Sequence, residues 1–295
     1  MQSIAAFAPA KINLFLAVTG RRDDGYHNLV SVVAPLDFGD SLRFEPDASG
    51  VWALECDARD MPCDDSNLII RAARLFCART GWMGGGRFLL KKRIPMGAGL
   101  GGGSSDAVAA LRVVNVAAGR LLTDVHLAEL SAEIGSDCPL FFSSAPVVMR
   151  GRGERIERLP SEAAQRISGR ALLVFKPPFG ISTPWAYRTL VAGAPASYLQ
   201  AELAEAKLAR WMDAPDAPVE ALLFNSFEQP AFHKFPAFPA LLDELHHRFG
   251  ATSLMSGSGS ACFAFVPPDA DVAAWSTAIR NAWGSGAFVQ HVQIA

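Results

Sequence analysis

A glycine-rich loop that runs directly into an apolar helix is the feature that most constrains the fold of this chain. Segment 95–106 reads Pro-Met-Gly-Ala-Gly-Leu-Gly-Gly-Gly-Ser-Ser-Asp, and segment 107–118, rich in Ala, Val and Leu, follows it. Clustered glycines indicate a backbone that bends through positive φ or approaches a ligand closely. At the start of a helix, such a loop presents free N–H groups and a partial positive charge. We therefore expect a phosphate-binding loop, with Ser104 or Ser105 as the helix N-cap and Asp106 in the first turn.

Two known phosphate-binding motifs overlap this loop, and neither fits it. Gly97, Gly99 and Gly102 satisfy the dinucleotide pattern G-x-G-x-x-G, but Pro95 stands just before the loop and the match falls far from the N-terminus. The Walker spacing places Gly103 where that motif needs lysine. We expect the loop to bind phosphate through its backbone and the helix dipole, or with cations from elsewhere in the chain.

The composition indicates a globular protein and excludes several classes of function. Of 295 residues, 50% are hydrophobic and 19% are charged, and the formal net charge is −2. Nothing in this balance predicts a nucleic-acid or membrane partner, and no apolar run approaches the roughly 20 residues that span a bilayer. The five cysteines are scattered without a C-x-x-C pair, which predicts a reducing, cytoplasmic location and no disulfide or zinc framework.

Hydrophobic periodicity predicts an N-terminal antiparallel sheet followed by mixed helices and strands. The predicted strands are 4–18, 29–36, 41–44, 88–94, 171–176 and a glycine-serine turn feeding a strand over 254–266. The predicted helices are 67–79 (capped by Ser66 and ended by Gly81), 107–118, 124–134, 197–212 and 238–249. We expect a turn at 37–40 and short extended segments at 139–142 and 147–150. A polar stretch near 159–169 places the domain boundary between 1–160 and 161–295, with the last strand, about 286–294, a candidate to return to the first domain.

Three separated segments, 9–14, 95–106 and 255–262, resemble in that order the three motifs of the GHMP small-molecule kinases. Segment 8–16, Asp-Gly-Tyr-His at 24–27 and Ile-Gly-Ser-Asp-Cys-Pro at 134–139 are similar to one branch, the 4-diphosphocytidyl-2-C-methyl-D-erythritol kinases. The resemblance implies a two-domain α+β fold. Its N-terminal ATP-binding domain would resemble the ribosomal S5 domain 2-like fold and its C-terminal domain would be ferredoxin-like, with the active site in the cleft between them.

The same resemblance implies an activity. It predicts ATP-dependent phosphorylation of the 2-hydroxyl of the CDP-linked methylerythritol in the non-mevalonate route to isoprenoid precursors. ATP would be the co-substrate, with Mg²⁺ carried mainly by the phosphates and no dedicated metal site in the protein. We expect small-molecule partners only, no nucleic acid or membrane, and a monomer or homodimer.

Phosphoryl transfer to an alcohol needs a group that takes the hydroxyl proton and positive charge on the migrating phosphoryl group. Asp137 is the candidate base, because it follows a helix stop and precedes Cys138 in an apolar neighbourhood. Lys11, on an apolar strand, is the candidate partner that keeps this carboxylate ionised and stabilises developing charge. The resemblance assigns these roles to both residues, whereas the simpler structural readings are a turn aspartate and a solvated strand lysine.

The resemblance also predicts the binding residues. A family tyrosine stacks on the cytosine and a family histidine hydrogen-bonds it, which places Tyr26 and His27 there, with Tyr187 as the second aromatic and Trp185 as its competitor. Asn13 would contact the polar end of the substrate. Lys92 would offer a cation or backbone contact near adenine. The predicted ATP-binding residues are Asn67, Leu68, Lys92, Pro95, Met96, Gly97, Ala98, Gly99, Leu100, Gly101, Gly102, Gly103, Ser104 and Ser105, and the predicted substrate loop is Gly257, Ser258 and Gly259.

Two other functions remain open at this point. Kinases of homoserine, mevalonate or galactose, and the related diphosphate decarboxylase, share the three motifs, but the pair Tyr26 and His27 and segment 134–139 argue against them. A nucleotide-binding regulator that has lost catalysis is the third reading. The presence of both Lys11 and Asp137 argues against that one.

Overall fold

The computed structural model describes residues 2–295 and groups them in two compact units. Unit one comprises residues up to 10, 38–95 and 101–144, and unit two comprises 11–37, 96–100 and 145–295. The strands are β1 (Ile4–Arg21), β2 (His27–Asp47), β3 (Trp52–Cys56), β4 (Gly85–Lys91), β5 (Val147–Gly151), β6 (Arg155–Arg158), β7 (Ala171–Lys176), β8 (Phe224–Asn225), β9 (Ser253–Met255), β10 (Cys262–Phe265) and β11 (Phe288–Gln293). The α-helices are α1 (Leu68–Thr80), α2 (Gly102–Ala117), α3 (Asp124–Ala132), α4 (Ser161–Gln165), α5 (Thr183–Ala192), α6 (Ala201–Met212), α7 (Glu228–Lys234), α8 (Ala237–Phe249) and α9 (Val272–Trp283). Short 3₁₀ helices occupy Pro139–Phe142 and Val219–Leu222.

Unit one packs helices against a small mixed sheet. Strand β4 pairs antiparallel with the second half of β2 and parallel with β3. The rings of Phe44 and Phe88 lie 4.6 Å apart, centroid to centroid, in its core. Helix α1 packs along α2 and buries an apolar stripe that includes Ile69, Ala72 and Phe76, as its helical spacing predicts.

Unit two contains a four-stranded antiparallel sheet in the order β11-β7-β10-β9. Its core joins Phe175, Phe227, Phe238, Leu245 and Trp275 in one buried cluster. In the same unit, the first half of β2 pairs antiparallel with β5, and β8 pairs parallel with β1.

Several sequence predictions are confirmed and others are wrong. Helix α1 begins close to the predicted residue 67, and Gly81 ends it in the left-handed conformation, as predicted. Its N-cap, however, is Asn67 and not Ser66. Segment 37–40 is not a turn, since β2 runs through it. Segment 139–142 is a 3₁₀ helix and not extended, because Pro139 stands at its first position, where proline fits a helix. Helices α4, α5, α7 and α9 were not predicted, and α6 begins later than 197. The domain boundary near residue 160 stays a prediction.

Candidate active site

The glycine loop adopts backbone conformations that glycine takes more easily than other residues. The φ angles of Gly97, Gly99 and Gly101 are 61°, 76° and 74°, in the left-handed region where a Cβ is penalised. Gly101 is the N-cap of α2, and no side chain caps that helix. The first N–H groups of α2 therefore lack a side-chain acceptor, and a helix start of this kind suits an anion.

The helix start differs from the one that the sequence predicts. Because α2 begins at Gly102, inside the glycine run, neither Ser104 nor Ser105 is its N-cap, and that prediction is wrong. Asp106 lies beyond the first turn, which contains no acidic residue. The hydroxyl of Ser105 is buried and has no hydrogen-bond partner in the described structure.

Lys92 lies in a buried ionic cluster beside the loop. Its Nζ donates to Oδ2 of Asp40 and, over 2.7 Å, to Oδ2 of Asp106. The other oxygen of Asp40 accepts from the backbone N–H groups of Arg93, at 2.5 Å, and Ile94, at 2.8 Å. These bonds explain why β4 ends at Lys91 and not at the predicted residue 94, since the two N–H groups leave the sheet ladder for a carboxylate.

Charges in this cluster shift one another's pKa. Burial raises the pKa of Asp106 to about 7, against the attraction of Lys92. Burial by itself would lower the pKa of Lys92, but Asp106 and Asp40 outweigh it and raise that pKa above its ordinary value. Because the ammonium of Lys92 already binds two carboxylates, its part in ATP binding stays a prediction.

The structure brings three other predicted nucleotide residues of unit one together. Asn67 caps α1, with its Oδ1 accepting from Ile69 N at 2.9 Å. A Cβ built on Gly103 would lie 3.6 Å from Cδ1 of Leu68, which is ordinary van der Waals contact. Leu68 therefore lies close to the start of α2, and Asn67 precedes it at the N-cap of α1.

Asp137 lies in the loop between α3 and the 3₁₀ helix, half-buried, next to buried Cys138. Burial raises the pKa of Cys138 to about 11, a hydrogen bond with Ser104 opposes the shift, and the charge of Asp137 adds to it. The turn that carries Asp137 thus contacts the predicted phosphate loop within unit one.

Lys11 and Asn13 lie side by side on β1 in unit two, and both are buried. Lys11 Nζ donates to Asn13 Oδ1 at 2.6 Å, and Asn13 Nδ2 donates to Ser31 Oγ at 2.9 Å. The backbone N–H of Asn13 donates to Ser256 Oγ at 3.3 Å. The two predicted residues are therefore held in a hydrogen-bond network that reaches the third motif, so the reading of Lys11 as a solvated lysine is wrong.

The turn at 256–261, which we call the motif-three turn, packs on the glycine loop within unit two. Ser256 Oγ donates to Gly99 O at 3.2 Å, and Ala261 N donates to Ala98 O at 2.9 Å. The hydroxyls of Ser258 and Thr183 lie 2.8 Å apart. Two of the sequence motifs are thus adjacent, although more than 150 positions separate Gly99 from Ser256.

Two of the predicted cytidine residues, His27 and Tyr187, stack on each other in unit two. His27 stacks on Tyr187 with a centroid distance of 4.7 Å, and its Nε2 is buried without a hydrogen-bond partner in the described structure. Burial, and to a lesser degree the charge of Arg21, lowers the pKa of His27, which favours the neutral ring. Tyr26 is 51% exposed. Trp185 contacts Phe235 in edge-to-face geometry, so it is Tyr187 that the structure places beside His27.

Comparisons with known proteins identify relatives of this chain. Family models described as the GHMP kinases N terminal domain and the GHMP kinases C terminal domain match residues 67–144 and 206–285. A 4-diphosphocytidyl-2-C-methyl-D-erythritol kinase of Protochlamydia amoebophila is 40% identical over 263 residues, which cover 89% of this chain and 84% of that protein. A kinase of the same name from Synechococcus sp. (strain CC9311) is 37% identical, and the match covers 98% of this chain and 97% of that protein. The chain belongs to the 4-diphosphocytidyl-2-C-methyl-D-erythritol kinase family.

Solved structures agree with this assignment. A crystal structure of 4-(cytidine 5'-diphospho)-2C-methyl-D-erythritol kinase matches with a TM-score of 0.77 and 34% identity, over 99% of this chain and 100% of that one. The mevalonate kinase of L. major matches with a TM-score of 0.72 but only 14% identity, so it shares the fold alone. The predicted α+β GHMP kinase fold with N- and C-terminal domains is therefore confirmed.

Two buried residues that contact candidate site segments are absent from the sequence predictions. Asp40 holds Lys92 and the entry to the glycine loop, and Asn225 holds the motif-three turn through hydrogen bonds to Met255 O and Gly257 O. Asp40 lies in a segment whose composition predicts a turn, where an aspartate is common. The one available signal was an acidic residue within a run of strand-forming residues.

The described residues contain no group of three or more His, Cys, Asp or Glu side chains arranged to hold a metal ion. They also contain no helix that is both long and apolar enough to cross a membrane.

Proposed function

We propose that this protein transfers the γ-phosphoryl group of ATP to the 2-hydroxyl of 4-diphosphocytidyl-2-C-methyl-D-erythritol, a step of the non-mevalonate route to isoprenoid precursors. The observation that carries the proposal is identity of 35–40% to kinases of this name over most of the chain. The stacked pair of His27 and Tyr187, with Tyr26 next to His27 in the sequence, supports the same substrate over homoserine or mevalonate, which lack a base to stack.

Asp137 is proposed to take the proton of the attacking hydroxyl, and Lys11 to stabilise negative charge on the transferred group. General-base action contributes about 10²- to 10⁴-fold, and a preorganised cation acts most strongly where water is excluded. Burial of Lys11 and its bond to Asn13 support a fixed ammonium. The same bond orients Asn13, which we propose contacts the polar end of the substrate.

Cytosine recognition is proposed to use the aromatic rings of Tyr26 and Tyr187 and the Nε2 atom of His27. His27 Nε2, buried and without a partner in the described structure, would exchange a hydrogen bond with the base. Tyr187 and the exposed ring of Tyr26 would stack on it, each such contact contributing about 1–3 kcal/mol. The motif-three residues Gly257, Ser258 and Gly259 would contact the substrate diphosphate through their amides.

ATP is proposed to bind at the glycine loop and the start of α2, with Asn67 and Leu68 beside its adenine. Mg²⁺ would stay mainly on the phosphates, which suits an ion that prefers phosphate oxygens and retained water. The donor set fits this, because Asp106, the carboxylate that ends segment 95–106, is already bound by Lys92. When bound, the ion would neutralise charge on the phosphates.

We also propose a compartment, a domain boundary and a quaternary state for the enzyme. All five cysteines are free, which supports a reducing, cytoplasmic compartment. The two family models lie on either side of residue 160, which supports the domain boundary proposed there. The quaternary state, monomer or homodimer, is open to direct mass measurement.

Purified protein given ATP, Mg²⁺ and, separately, the CDP-linked methylerythritol, homoserine and mevalonate tests the proposal by ADP release. We expect turnover with the CDP compound alone. Turnover of another alcohol in its place would overturn the substrate assignment, and no turnover with any of them would favour a regulator without catalysis.

Asp137→Ala should abolish turnover while leaving ATP binding nearly intact, because the proposed base does not bind nucleotide. The expected loss of kcat is about 10²- to 10⁴-fold, measured beside ATP affinity by titration calorimetry. Asp124→Ala, on the preceding helix, is the matched control and should keep wild-type turnover. A comparable loss of ATP affinity in the Asp137 variant would mean that its role is misassigned.

A further inference from the structure

Asn225 holds the motif-three turn, although it belongs to none of the three motifs. It is the last residue of β8 and is buried. Its Nδ2 donates to two backbone carbonyls, that of Met255 just before the turn, at 2.6 Å, and that of Gly257 within it, at 2.8 Å. Its Oδ1 accepts from Phe227 N at 2.9 Å. Both amide protons and the oxygen are therefore used, and the side chain has one possible orientation.

The turn that Asn225 holds has little room to move. A Cβ built on Gly257 would lie 3.4 Å from Nζ of Lys11 and 3.0 Å from the carbonyl oxygen of Gly99. Ser256 Oγ bonds the same Gly99 carbonyl and accepts from the backbone of Asn13. Because interiors are close-packed, a displacement at Gly257 must be felt at the Lys11 ammonium.

Asn225 and Lys11 are also carried by paired strands. Residues Phe224 and Asn225 of β8 align with Phe15 and Leu16 of β1, and Ser226 N donates to Leu16 O at 2.9 Å. Lys11 lies on the same β1. The backbone of β8 thus fixes Asn225 relative to the strand that carries Lys11. The side-chain amide of Asn225, through its hydrogen bonds, fixes the turn relative to the same strand.

We propose that Asn225 is a positioning residue for phosphoryl transfer, which sets the spacing between the motif-three turn and the ammonium of Lys11. This inference rests on the proposed function, since it assumes that Lys11 and the turn act on bound substrate. Without the amide, Gly257 O and Met255 O lose their shared donor and the turn shifts or fluctuates. A misplacement of about 1 Å can cost about 10²-fold in rate.

The test compares Asn225→Ala and Asn225→Asp with the matched control Ser226→Ala. Ser226 is the next residue and is equally buried, and its hydroxyl accepts from Val18 N and does not reach the turn. Asn225→Ala removes the donor without adding a buried charge, whereas Asn225→Asp keeps the side-chain volume and the acceptor for Phe227 N. Its carboxylate would face two carbonyl oxygens in place of a donor.

Steady-state kinetics and amide hydrogen exchange of residues 255–261 are the readouts. We expect both Asn225 variants to lose about 10²-fold in kcat, with the KM for ATP little changed and faster exchange in the turn. Ser226→Ala should lower the melting temperature without either effect. Asn225 variants with the kcat and turn exchange of the control would overturn the proposal.

The exchange measurement separates this proposal from the proposed function. If wild-type protein fails to phosphorylate the CDP compound, the proposed function is wrong, and the exchange rates still report whether Asn225 orders the turn. If the wild type is active and the Asn225 variants loosen the turn but keep their kcat, the turn's spacing does not matter for transfer and the positioning role is wrong.

Discussion

Asp106→Asn should remove a proton-linked component of stability that the wild-type protein loses as pH rises. The carboxyl of Asp106 is buried beside Lys92 and Asp40, and its pKa is raised from its ordinary value of 3.8 to about 7. Between these two values the folded protein holds a proton that the unfolded chain has released. Because the folded-state pKa is the higher one, this contribution is present in full below the unfolded pKa and is lost as pH rises through about 7.

The magnitude follows from the same shift. From pH 5 to just below pH 7 the unfolded aspartate is ionised and the folded one is mostly protonated, so each pH unit changes the free energy of unfolding by about 1.36 kcal/mol. The wild type should therefore lose about 2–3 kcal/mol relative to Asp106→Asn between pH 5 and pH 8. In the variant the amide oxygen can still accept from Lys92, so packing is kept.

Urea denaturation of both proteins at several pH values, followed by circular dichroism, measures this difference. Burial also raises the pKa of Glu228 to about 7, but Glu228 titrates in both proteins and cancels when they are subtracted. A difference that stays constant from pH 5 to pH 8 would refute the reasoning. It would mean that the attraction of Lys92 outweighs burial and keeps Asp106 ionised.

Three further substitutions test the site. Gly99→Ala should abolish turnover and destabilise the fold, because a Cβ there would overlap a backbone carbonyl of the motif-three turn. Gly119 is also at positive φ but lies in open space, so Gly119→Ala should lower the free energy of unfolding by only about 1–2 kcal/mol. Tyr187→Ala should raise the KM for the CDP compound about tenfold or more by loss of stacking and leave the KM for ATP unchanged. Trp185→Ala should leave both KM values unchanged. Equal effects of the two variants in substrate titrations would contradict the choice of Tyr187. Asn67→Ala removes the N-cap of α1 and should cost about 0.5–2 kcal/mol in urea denaturation, so an unchanged midpoint would count against that cap.

Features that depend only on residues close together in the sequence could be predicted. The run of glycines required positive φ, and Gly97, Gly99 and Gly101 have it. Gly81 ends α1 because it alone there takes a left-handed conformation without a Cβ penalty. Lys11 and Asn13 are two positions apart on one strand, so their side chains share a face and meet.

Features that depend on distant partners could not be predicted. The start of α2 depends on where the glycine run can turn helical, which no side chain of the sequence marks. Asp40 meets Lys92 across 52 positions, and this contact keeps β2 extended through a segment whose composition reads as a turn. Asn225 acts through carbonyls 30 and 32 positions away, and an asparagine after Phe224 carries no such information by itself.

The central claim is that this protein places a phosphoryl group on a cytidine-linked alcohol. Phosphorus-31 NMR of a reaction containing ATP, Mg²⁺ and the CDP-linked methylerythritol tests it most directly. We predict one new phosphomonoester signal on a substrate whose diphosphate is intact, with one ADP formed per product. ADP formation without that signal, or a phosphomonoester that forms only when another alcohol is supplied, would contradict the account.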